Sequence, residues 1–454
     1  MKRQEKRRFH PWIAAILVVT LLAGIGTGVF LLNRNSEKGS VTESQPSQTT
    51  TPMATEISLW VSPIGKWMDK NAVQPMLDAF RDETGITVNV RYYDEMSSQV
   101  SLSDLIAREN APDLVMDDTQ HLVMDYGATG IMVDLSDMLD ATDISQMESA
   151  ALNSCYGADG KLYEYPLAMT VHSMAINKRI FEAADAMEHL NAETHTWNSV
   201  EDFFQAMVKV TEYMGKPAGT IYCGNRSGDQ GTRALVTNLS GGAFINDTHT
   251  QYTWDSAENI EVLTRLYHSG SVTFDASMAA INEICEFYNG NLGVAFCWNI
   301  AQQQNPYSAG TGAEMTKNGD DILFMAFPSD ETIQLEGVVW GFGIVDNGDA
   351  EKVEAAKAFI RYFCDSEATL DAVRNTQYFP VRSGVEGATM ANLWADNSIM
   401  QEYSMLIPYL GDCYAGAVNW NEARDAWIHM LQEIGRGYPL AESVKYWCNI
   451  ANAN

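Results

Sequence analysis

The sequence lacks the short motifs that mark the common catalytic centres. No G-x-S-x-G, H-E-x-x-H or P-loop pattern occurs, so the usual signs of a serine nucleophile, a zinc protease and an NTPase are missing. The only adjacent carboxylates of interest, Asp117 and Asp118, lie on a predicted strand, where neighbouring side chains point to opposite faces. Glycosidases need two converging carboxyl groups about 5–9 Å apart. We therefore interpret the pair as a solvated acidic face and expect the chain not to be an enzyme.

Cysteines are few, and their positions exclude two further roles. The seven cysteines contain no C-x-x-C pair, which argues against a zinc site, and neither a metal nor a cofactor is expected. An odd number leaves at least one free thiol or one intermolecular bond, although other cysteines could pair outside the cytoplasm. The first cysteine is Cys155. The lipid-modified cysteine near the N-terminus of bacterial lipoproteins is therefore absent.

Positive charge is scarce outside the N-terminus. The chain has 29 Lys and Arg residues against 59 Asp and Glu residues, and its formal net charge is −30. Seven of the 29 basic residues lie within residues 1–38, so the remainder is more acidic still. Nucleic-acid binding requires basic surface. No nucleic-acid partner is expected.

The N-terminus has the pattern of a membrane segment. Trp12 to Leu32 is a run of 21 residues without a charge, long enough as a helix to cross a hydrocarbon core of about 30 Å. Five basic residues precede it, which places the N-terminus in the cytoplasm and the body outside the membrane. Residues 1–32 are predicted to be a cytoplasmic stub and transmembrane anchor, or a cleaved signal peptide. Residues 33–55 are polar and form a flexible linker.

The folded body begins with alternating strands and helices. Strands are predicted at Ile57–Val61, Ile86–Tyr93 and Asp113–Met116, separated by a helix that ends at Gly85 and by a helix at Val100–Arg108. This order is typical of a parallel sheet with right-handed crossovers. Ligands bind beyond the carboxyl ends of such strands, where the sequence has Trp60, Ser62, Lys66, Asp117 and Asp118.

A hinge is predicted between residues 159 and 178. Leu162 to Tyr165 favours an extended strand, and Pro166 is expected to end it because proline cannot donate to a central ladder. A second apolar run, Leu167 to Ile176, follows with no turn residue between the two. We interpret them as one chain that crosses from one sheet to another, with a ligand cleft beside it.

Hydrophobic periodicity predicts the later elements. The predicted helices cover Phe181–Met187, Val200–Val210, Asp229–Leu239, Ser256–Tyr267, Ala279–Tyr288, Val353–Phe363, Thr369–Arg374, Arg424–Gly435 and Leu440–Ile450. The predicted strands cover Leu292–Trp298, Asp321–Phe327 and Gly337–Val345.

Fifteen sequence segments in order carry a resemblance across roughly residues 57–450. They are ISLW, AFRDETGITVNV, APDLV, GATGIMVDLSDML, DGKLYEYPLA, INKRIF, TWNSVEDF, LSGGAF, YTWDSAENIEVLTRLYHSG, FYNGNLGVAFCWN, FPSD, GVVWGFGIV, AAKAFIRYFCDSEA, QYFPVRSGV and GRGYPLAESV. In this order they resemble the extracellular solute-binding proteins of the carbohydrate-uptake type, family 1, which include maltose-binding protein. The usual lipidated cysteine of that family is absent here.

The resemblance implies an α/β, two-lobed periplasmic-binding-protein-like fold of type II, its lobes joined by hinge strands and preceded by the N-terminal transmembrane helix. The first lobe would comprise residues 56–168 and 341–388, and the second 169–340 and 389–454. The implied function is capture of a sugar or oligosaccharide by a monomer and delivery to an ABC transporter permease, from an extracytoplasmic position on the membrane.

The resemblance also implies which positions line the ligand cleft. They are Trp60, Ser62, Lys66, Asp117, Asp118, Thr170, His172, Asp229, Trp298, Asn299 and Trp340, and Glu336 is a further candidate. Sugar sites combine aromatic platforms with carboxylate and amide partners. Trp340, with Gly337, Gly341 and Gly343 nearby, is expected to stack on a sugar face.

Each of these positions has an alternative role. Trp60 and Trp340 are also compatible with core packing, His172 with a structural hydrogen bond, and Glu336 with a solvent-facing position. At the level of function, two alternatives stay open. One is a sensor that presents its solute to a membrane receptor kinase, and the other is a binding protein for a solute that is not a sugar.

Overall fold

The computed structural model describes residues 52–92, 111–304, 315–385, 388–389, 393–411, 413–414 and 416–453 of the chain. The predicted membrane segment, most of the predicted linker and the predicted helix Val100–Arg108 lie outside these residues. Within the described ranges, no helix is both long enough and apolar enough to cross a membrane.

Strands and helices alternate along most of the described chain. The strands are β1 (Glu56–Val61), β2 (Thr87–Tyr92), β3 (Leu114–Asp118), β4 (Tyr165–Val171), β5 (Ser173–Asn177), β6 (Leu190–Asn191), β7 (Thr196–Trp197), β8 (Gly219–Tyr222), β9 (Val272–Asp275), β10 (Val294–Trp298), β11 (Ile322–Met325), β12 (Gly337–Ile344), β13 (Phe379–Pro380), β14 (Gly384–Val385) and β15 (Ala388–Thr389). The α-helices are α1 (Lys70–Thr84), α2 (Ala141–Gln146), α3 (Ser149–Ser154), α4 (Lys178–Ala183), α5 (Val200–Met214), α6 (Asp229–Ser240), α7 (Ala257–His268), α8 (Ala280–Tyr288), α9 (Ile300–Gln304), α10 (Ala350–Asp365), α11 (Thr369–Thr376), α12 (Ser398–Ser404), α13 (Trp420–Gly435) and α14 (Leu440–Asn452). Short 3-10 helices cover Gly65–Met68, Gly127–Thr129, Ser136–Met138, Met187–His189 and Ile407–Tyr409, and a π-helix covers Gln120–Tyr126.

A six-stranded sheet forms the first lobe, in the order β13-β4-β12-β3-β1-β2. β1 pairs in parallel with β2 and with β3, as the strand and helix order predicts. Side chains alternate along β1 because successive residues of a strand face opposite sides. Leu59 and Val61 enter the main core, whereas Trp60 enters a smaller cluster with Tyr126 on the other face. Helix α10 packs against this sheet.

The predicted hinge crossing is confirmed by the sheet topology. β4 lies in the six-stranded sheet, whereas β5 is the middle strand of a three-stranded sheet, β10-β5-β11, that belongs to the second lobe. Only His172 separates the two strands. Residues Leu167 to Ile176 include no glycine, which could adopt a positive φ, and no proline, whose ring fixes φ. The chain therefore does not reverse here and passes directly from one sheet to the other.

The prediction that Pro166 ends its strand is wrong. β4 begins at Tyr165 and runs through Pro166 between β12 and β13. Proline fits because the ladder shifts register there, with Trp340 opposite Ala168 but Gly341 opposite Pro166. Proline in a sheet interior is tolerated at such irregularities. Gly341 is required here, since a Cβ at this position would collide with the carbonyl oxygen of Tyr165.

The second passage between the lobes lies before β12. The chain leaves β11 in the three-stranded sheet, runs through residues 326–336 and enters β12, which stays in the six-stranded sheet along its whole length. β12 itself therefore does not cross between sheets. The exact division of the chain into lobes, as expected from the sequence, stays a prediction.

Helices of the second lobe surround its strands. α13 and α14 pack on each other, α13 also contacts β9, and α6 contacts α7 and β10. The predicted start of α7 is confirmed, because the Ser256 side chain accepts a hydrogen bond from the backbone N–H of Asn259. Such caps satisfy one of the unpaired N–H groups at a helix start. This packing places the N-terminal turns of α6 and α13 close to the hinge.

Candidate functional site

Polar side chains converge where β3 ends. Asp117 is buried and accepts a hydrogen bond of 2.6 Å from the Ser62 hydroxyl. The Nδ1 atom of His121 lies 3.1 Å from Asp117 Oδ1 and 3.2 Å from Asp118 Oδ1. The interpretation of the two carboxylates as a solvated face is wrong, because the chain turns into the π-helix directly after Asp118 and brings His121 back over both.

The charges of these groups depend on one another. Burial lowers the pKa of His121, but the hydrogen bonds and negative charges of Asp117 and Asp118 outweigh this and raise that pKa to about 11. The imidazole ring is therefore protonated at neutral pH. Burial raises the pKa of Asp117, and the hydrogen bond from His121 opposes this effect.

A fourth titratable group, Glu164, lies beside them without a partner. It has no exposed surface, and neither of its carboxylate oxygens has a hydrogen-bond partner in the described part of the chain. Burial raises the pKa of Glu164 well above its ordinary value, and the charges of Asp118 and Asp117 raise it further. We call Asp117, Asp118, His121 and Glu164 the first-lobe cluster.

The second lobe contributes a buried network of two arginines and two carboxylates, which we call the second-lobe cluster. Arg233 binds Asp229 one helical turn away in α6 and both oxygens of Glu336, at 3.1 and 2.6 Å. Arg424 of α13 donates to Asp229 from its Nη2, at 2.8 Å. Three elements are thereby joined: α6, α13 and the segment before β12.

Aromatic rings enclose the guanidinium group of Arg233. Its central carbon lies 4.9 Å from the ring centre of Trp420, 5.2 Å from Phe244 and 5.8 Å from Tyr414. Cations are attracted to aromatic faces at such distances. Burial raises the pKa of Glu336 to about 7, although the positive charge of Arg233 lowers it.

Two side-chain contacts connect the lobes across the cleft. The Nη1 atom of Arg424 lies 3.2 Å from the Gln120 side-chain oxygen. The Asn421 side-chain nitrogen lies 3.4 Å from an oxygen of Asp125. Gln120 and Asp125 belong to the π-helix that follows β3, so the two clusters face the same cleft.

His172 lies at the hinge itself. Its backbone N–H donates to the Glu336 carbonyl oxygen at 2.8 Å, and its Nε2 lies 2.9 Å from the Gln230 side-chain nitrogen. Burial lowers the pKa of His172 to about 4, so the ring is neutral and its Nε2 accepts the Gln230 N–H. Its Nδ1 and the hydroxyl of Thr170 are buried without partners in the described ranges.

The three aromatic candidates are all buried. Trp298 has no exposed surface, packs edge-on against Phe287 and donates to Gln303. Trp340 is 9% exposed and belongs to the main core, and Trp60 lies in the smaller core cluster. The structure therefore favours packing roles for all three. A continuous buried strand shows the same pattern in sequence whether its aromatic residues face a core or a ligand.

Two polar candidates also lie away from these clusters. Asn299 accepts a hydrogen bond from the backbone N–H of Ala301, and so supports the first turn of α9. Lys66 is exposed on the 3-10 helix after β1.

The structure brings together six of the nine predicted polar positions. Ser62, Asp117 and Asp118 meet on the first-lobe side, and Asp229, Glu336 and His172 meet at the hinge. The sequence also places Gln120 at the end of the third strand, but sequence reasoning missed the other residues that connect them: His121, Asp125, Glu164, Gln230, Arg233, Asn421 and Arg424. The pairing of Arg233 with Asp229 could have been predicted from their i,i+4 spacing on one helix. The pairing of Arg424 with Asp229 could not, because 195 residues separate them.

A cavity of about 790 Å³ adjoins the second-lobe cluster. Its lining includes Glu336, Gln334, Asn238 and the rings of Tyr409 and Tyr414. This volume lies in the range of small-molecule sites, and its lining combines rings with polar groups.

All seven cysteines lie among the described residues, and none forms a disulfide bond. Five are buried, whereas Cys285 and Cys413 are half-buried. None of the pairings left open by the sequence is formed.

One family model matches most of the chain. Residues 75–401 match the family model described as bacterial extracellular solute-binding protein. A search of curated protein sequences finds no match.

Solved structures share the fold at low sequence identity. The cyclic alpha-maltosyl-1,6-maltose binding protein of Arthrobacter globiformis is 15% identical, with a TM-score of 0.69 over 89% of this chain and 99% of its own. An ABC substrate-binding protein of Listeria monocytogenes, in complex with cycloalternan, is 19% identical, with a TM-score of 0.65 over 88% and 98%. UgpB of Mycobacterium tuberculosis, in complex with glycerophosphocholine, is 18% identical, with a TM-score of 0.67 over 89% and 98%.

Proposed function

Because this chain belongs to the bacterial extracellular solute-binding proteins, we propose that it captures a sugar or oligosaccharide between its two lobes and delivers it to an ABC importer. The observation that carries this proposal is the convergence of polar groups on one cleft from both lobes and from the hinge. Arg424 meets Gln120 across that cleft, and His172 lies where the chain passes between the sheets.

The chemistry of the cleft suits hydroxyl-rich ligands. A sugar hydroxyl both donates and accepts hydrogen bonds, and Gln120, Asn421 and Gln230 offer amide groups of both kinds. The adjoining cavity adds Tyr409 and Tyr414, whose rings can pack against the apolar C–H faces of a sugar. The carbohydrate named for the Arthrobacter binding protein and the cycloalternan bound in the Listeria structure support the same ligand class.

Capture follows from a difference in affinity between two states. Bending at His172 and at residues 326–336 opens or closes the cleft. A ligand that touches both lobes favours the closed state by the contacts that it makes only there. This mechanism requires no bond to be broken in the solute, and we propose that the protein is not an enzyme.

A thermal-shift screen against sugars and oligosaccharides tests the proposal. A ligand present at 100 times its dissociation constant adds about 2.7 kcal/mol to the free energy of unfolding. Gln120→Ala should reduce this shift, whereas Gln205→Ala, an exposed position on α5, should leave it unchanged. A library that produces no shift with any carbohydrate would contradict the ligand class.

A solute that is not a sugar is the second candidate. Two arginines and several carboxylates near the cleft also suit a charged ligand, and UgpB, a structural neighbour, was solved with glycerophosphocholine. Phosphodiesters and polyols therefore belong in the same screen. A shift with these compounds alone would assign the protein to this alternative.

We further propose that residues 12–32 anchor the protein in the cell membrane, with the body outside. The charge-free run and the five basic residues before it support this arrangement. Protease added to intact cells should release the body by cutting near Asn33. A body that is cut only after lysis would reverse the orientation. Anchoring also keeps the sensor alternative open, and capture of the permease or of a receptor kinase by cross-linking would distinguish the two.

A further inference from the structure

The first-lobe cluster contains three ligand atoms of the kinds that bind transition metals. One carboxylate oxygen each from Asp117 and Asp118 and one ring nitrogen of His121 all lie within 4.8 Å of one another. The imidazole Nδ1 lies 3.1 and 3.2 Å from the two oxygens. Ligand atoms around one ion bound at about 2.0–2.2 Å are separated by such distances.

Local structure holds these three groups in place. Asp117 is fixed by the Ser62 hydroxyl at 2.6 Å and by the backbone N–H of Asp118 at 2.9 Å. Asp118 accepts the backbone N–H of His121 at 3.2 Å. The end of β3 and the first turn of the π-helix therefore preorganise the three side chains before any ion arrives.

Glu164 is an independent observation that points to a cation. Its carboxyl group is fully buried, and neither oxygen has a partner in the described part of the chain. Its Oε1 occupies the space that a Cβ of Gly341 would fill, and Gly341 is the cross-strand partner of Asp117. Paired residues project to the same side of a sheet, so Glu164 is directed towards Asp117.

The cluster is also open to an ion from the cleft. The side chain of His121 is 45% exposed and that of Asp118 is 18% exposed, whereas Asp117 is only 3% exposed. An ion entering from solvent would therefore meet the imidazole first and the buried carboxylate last. Two carboxylates, those of Asp117 and Asp118, contact one imidazole, a surplus of negative charge that a divalent cation would neutralise.

We propose that the first-lobe cluster binds one divalent transition-metal ion, for which Zn²⁺ is the probe, through Asp117, Asp118 and a ring nitrogen of His121. Glu164 lies next to the ion, where a nearby cation favours the charged form of its carboxyl group. Imidazole together with carboxylate favours Zn²⁺ and its neighbours over Mg²⁺ and Ca²⁺, which prefer oxygen ligands alone. The ring nitrogen that binds the ion releases its proton to solvent. The proposal does not depend on the identity of the solute.

Titration calorimetry of the untagged full chain with Zn²⁺ tests this site. The wild-type protein should bind one ion at this site, and His121→Gln and Asp118→Asn should each weaken that binding at least tenfold, about 1.4 kcal/mol. His268→Gln removes an exposed histidine on α7 and should bind as the wild type does. Equal affinity in the wild type and in both cluster variants would overturn the proposal.

Two further measurements keep the test independent of folding. Co²⁺ should produce a visible absorption spectrum in the wild type and in His268→Gln, but not in His121→Gln, whose unchanged circular dichroism would show that it is folded. Glu164→Gln should weaken Zn²⁺ binding several-fold at unchanged stoichiometry. Binding of Ca²⁺ or Mg²⁺ as tightly as Zn²⁺ would contradict a site that includes the imidazole.

Discussion

Buried charges are paired on one side of the cleft and only partly paired on the other. In the second-lobe cluster, the carboxylates of Asp229 and Glu336 each bind an arginine, so the network is neutral and every group has a partner. In the first-lobe cluster, Asp117 and Asp118 share one imidazole, and Glu164 has no hydrogen-bond partner within the described ranges. The second side is complete without a ligand, whereas the first has negative charge left over. The second-lobe cluster therefore stabilises the hinge region, and the first-lobe cluster is the side suited to binding a cation.

Removing Arg233 should have the largest effect. Arg233→Met leaves Glu336 and part of Asp229 buried without their charge partner, and breaking a buried pair in this way costs about 3–5 kcal/mol. Urea denaturation measures the loss. Arg81→Met is the matched control, because Arg81 is 46% exposed and pairs with Asp78 on the surface of α1, where ion pairs contribute about 0–1 kcal/mol. Equal losses in both variants would mean that the second-lobe cluster is not a stabilising network.

Replacing the ionisable side chain of Glu164 should raise the free energy of unfolding, whereas replacing Arg233 lowers it. The folded-state pKa of this group is raised above its ordinary value of 4.5, so the unfolded chain releases its proton first as the pH rises. Above about pH 4.5, Glu164 therefore lowers the free energy of unfolding by up to about 1.4 kcal/mol per pH unit. The loss continues until the folded state ionises as well. Glu164→Gln should be more stable than the wild type at pH 8 and equal to it near pH 4.

Asp229→Asn is the comparison variant on the opposite side. It removes a charged acceptor from Arg233 and Arg424, and we expect a loss of about 1–3 kcal/mol at pH 8. Chemical denaturation at pH 4, 6 and 8 measures both variants. If Glu164→Gln and Asp229→Asn changed stability in the same direction at pH 8, the contrast between the two clusters would not hold.

The smallest effect should come from the contacts that join the lobes. Gln120→Ala and Asn421→Ala each remove one hydrogen bond of about 1 kcal/mol, roughly a fivefold shift from the closed towards the open state. Small-angle X-ray scattering of the ligand-free protein should show a larger radius of gyration for the double variant than for Gln205→Ala. An unchanged radius would show that these contacts do not hold the cleft closed.

Much of the fold is predictable because it depends on local patterns. The three parallel strands and the crossing at His172 follow from apolar runs, glycines and the absence of a turn. The behaviour of Pro166 was not predictable, because a register shift between β4 and β12 depends on which strand lies beside it. Trp298 and Trp340 were assigned to the cleft for a similar reason: burial on both faces of a strand appears the same in sequence as contact with a ligand.

The candidate site was predictable only in part. The sequence order alone decides where strands end, and so it identifies Asp117 and Asp118 as polar groups at the edge of the first-lobe sheet, whereas Asp229 was implied only by the family resemblance. The pairing of buried charges is decided only by tertiary structure, because Arg424 reaches Asp229 across 195 residues and Gln120 across the cleft. Electrostatic energy depends on distance in space and on burial, and neither quantity is present in the chain until it folds.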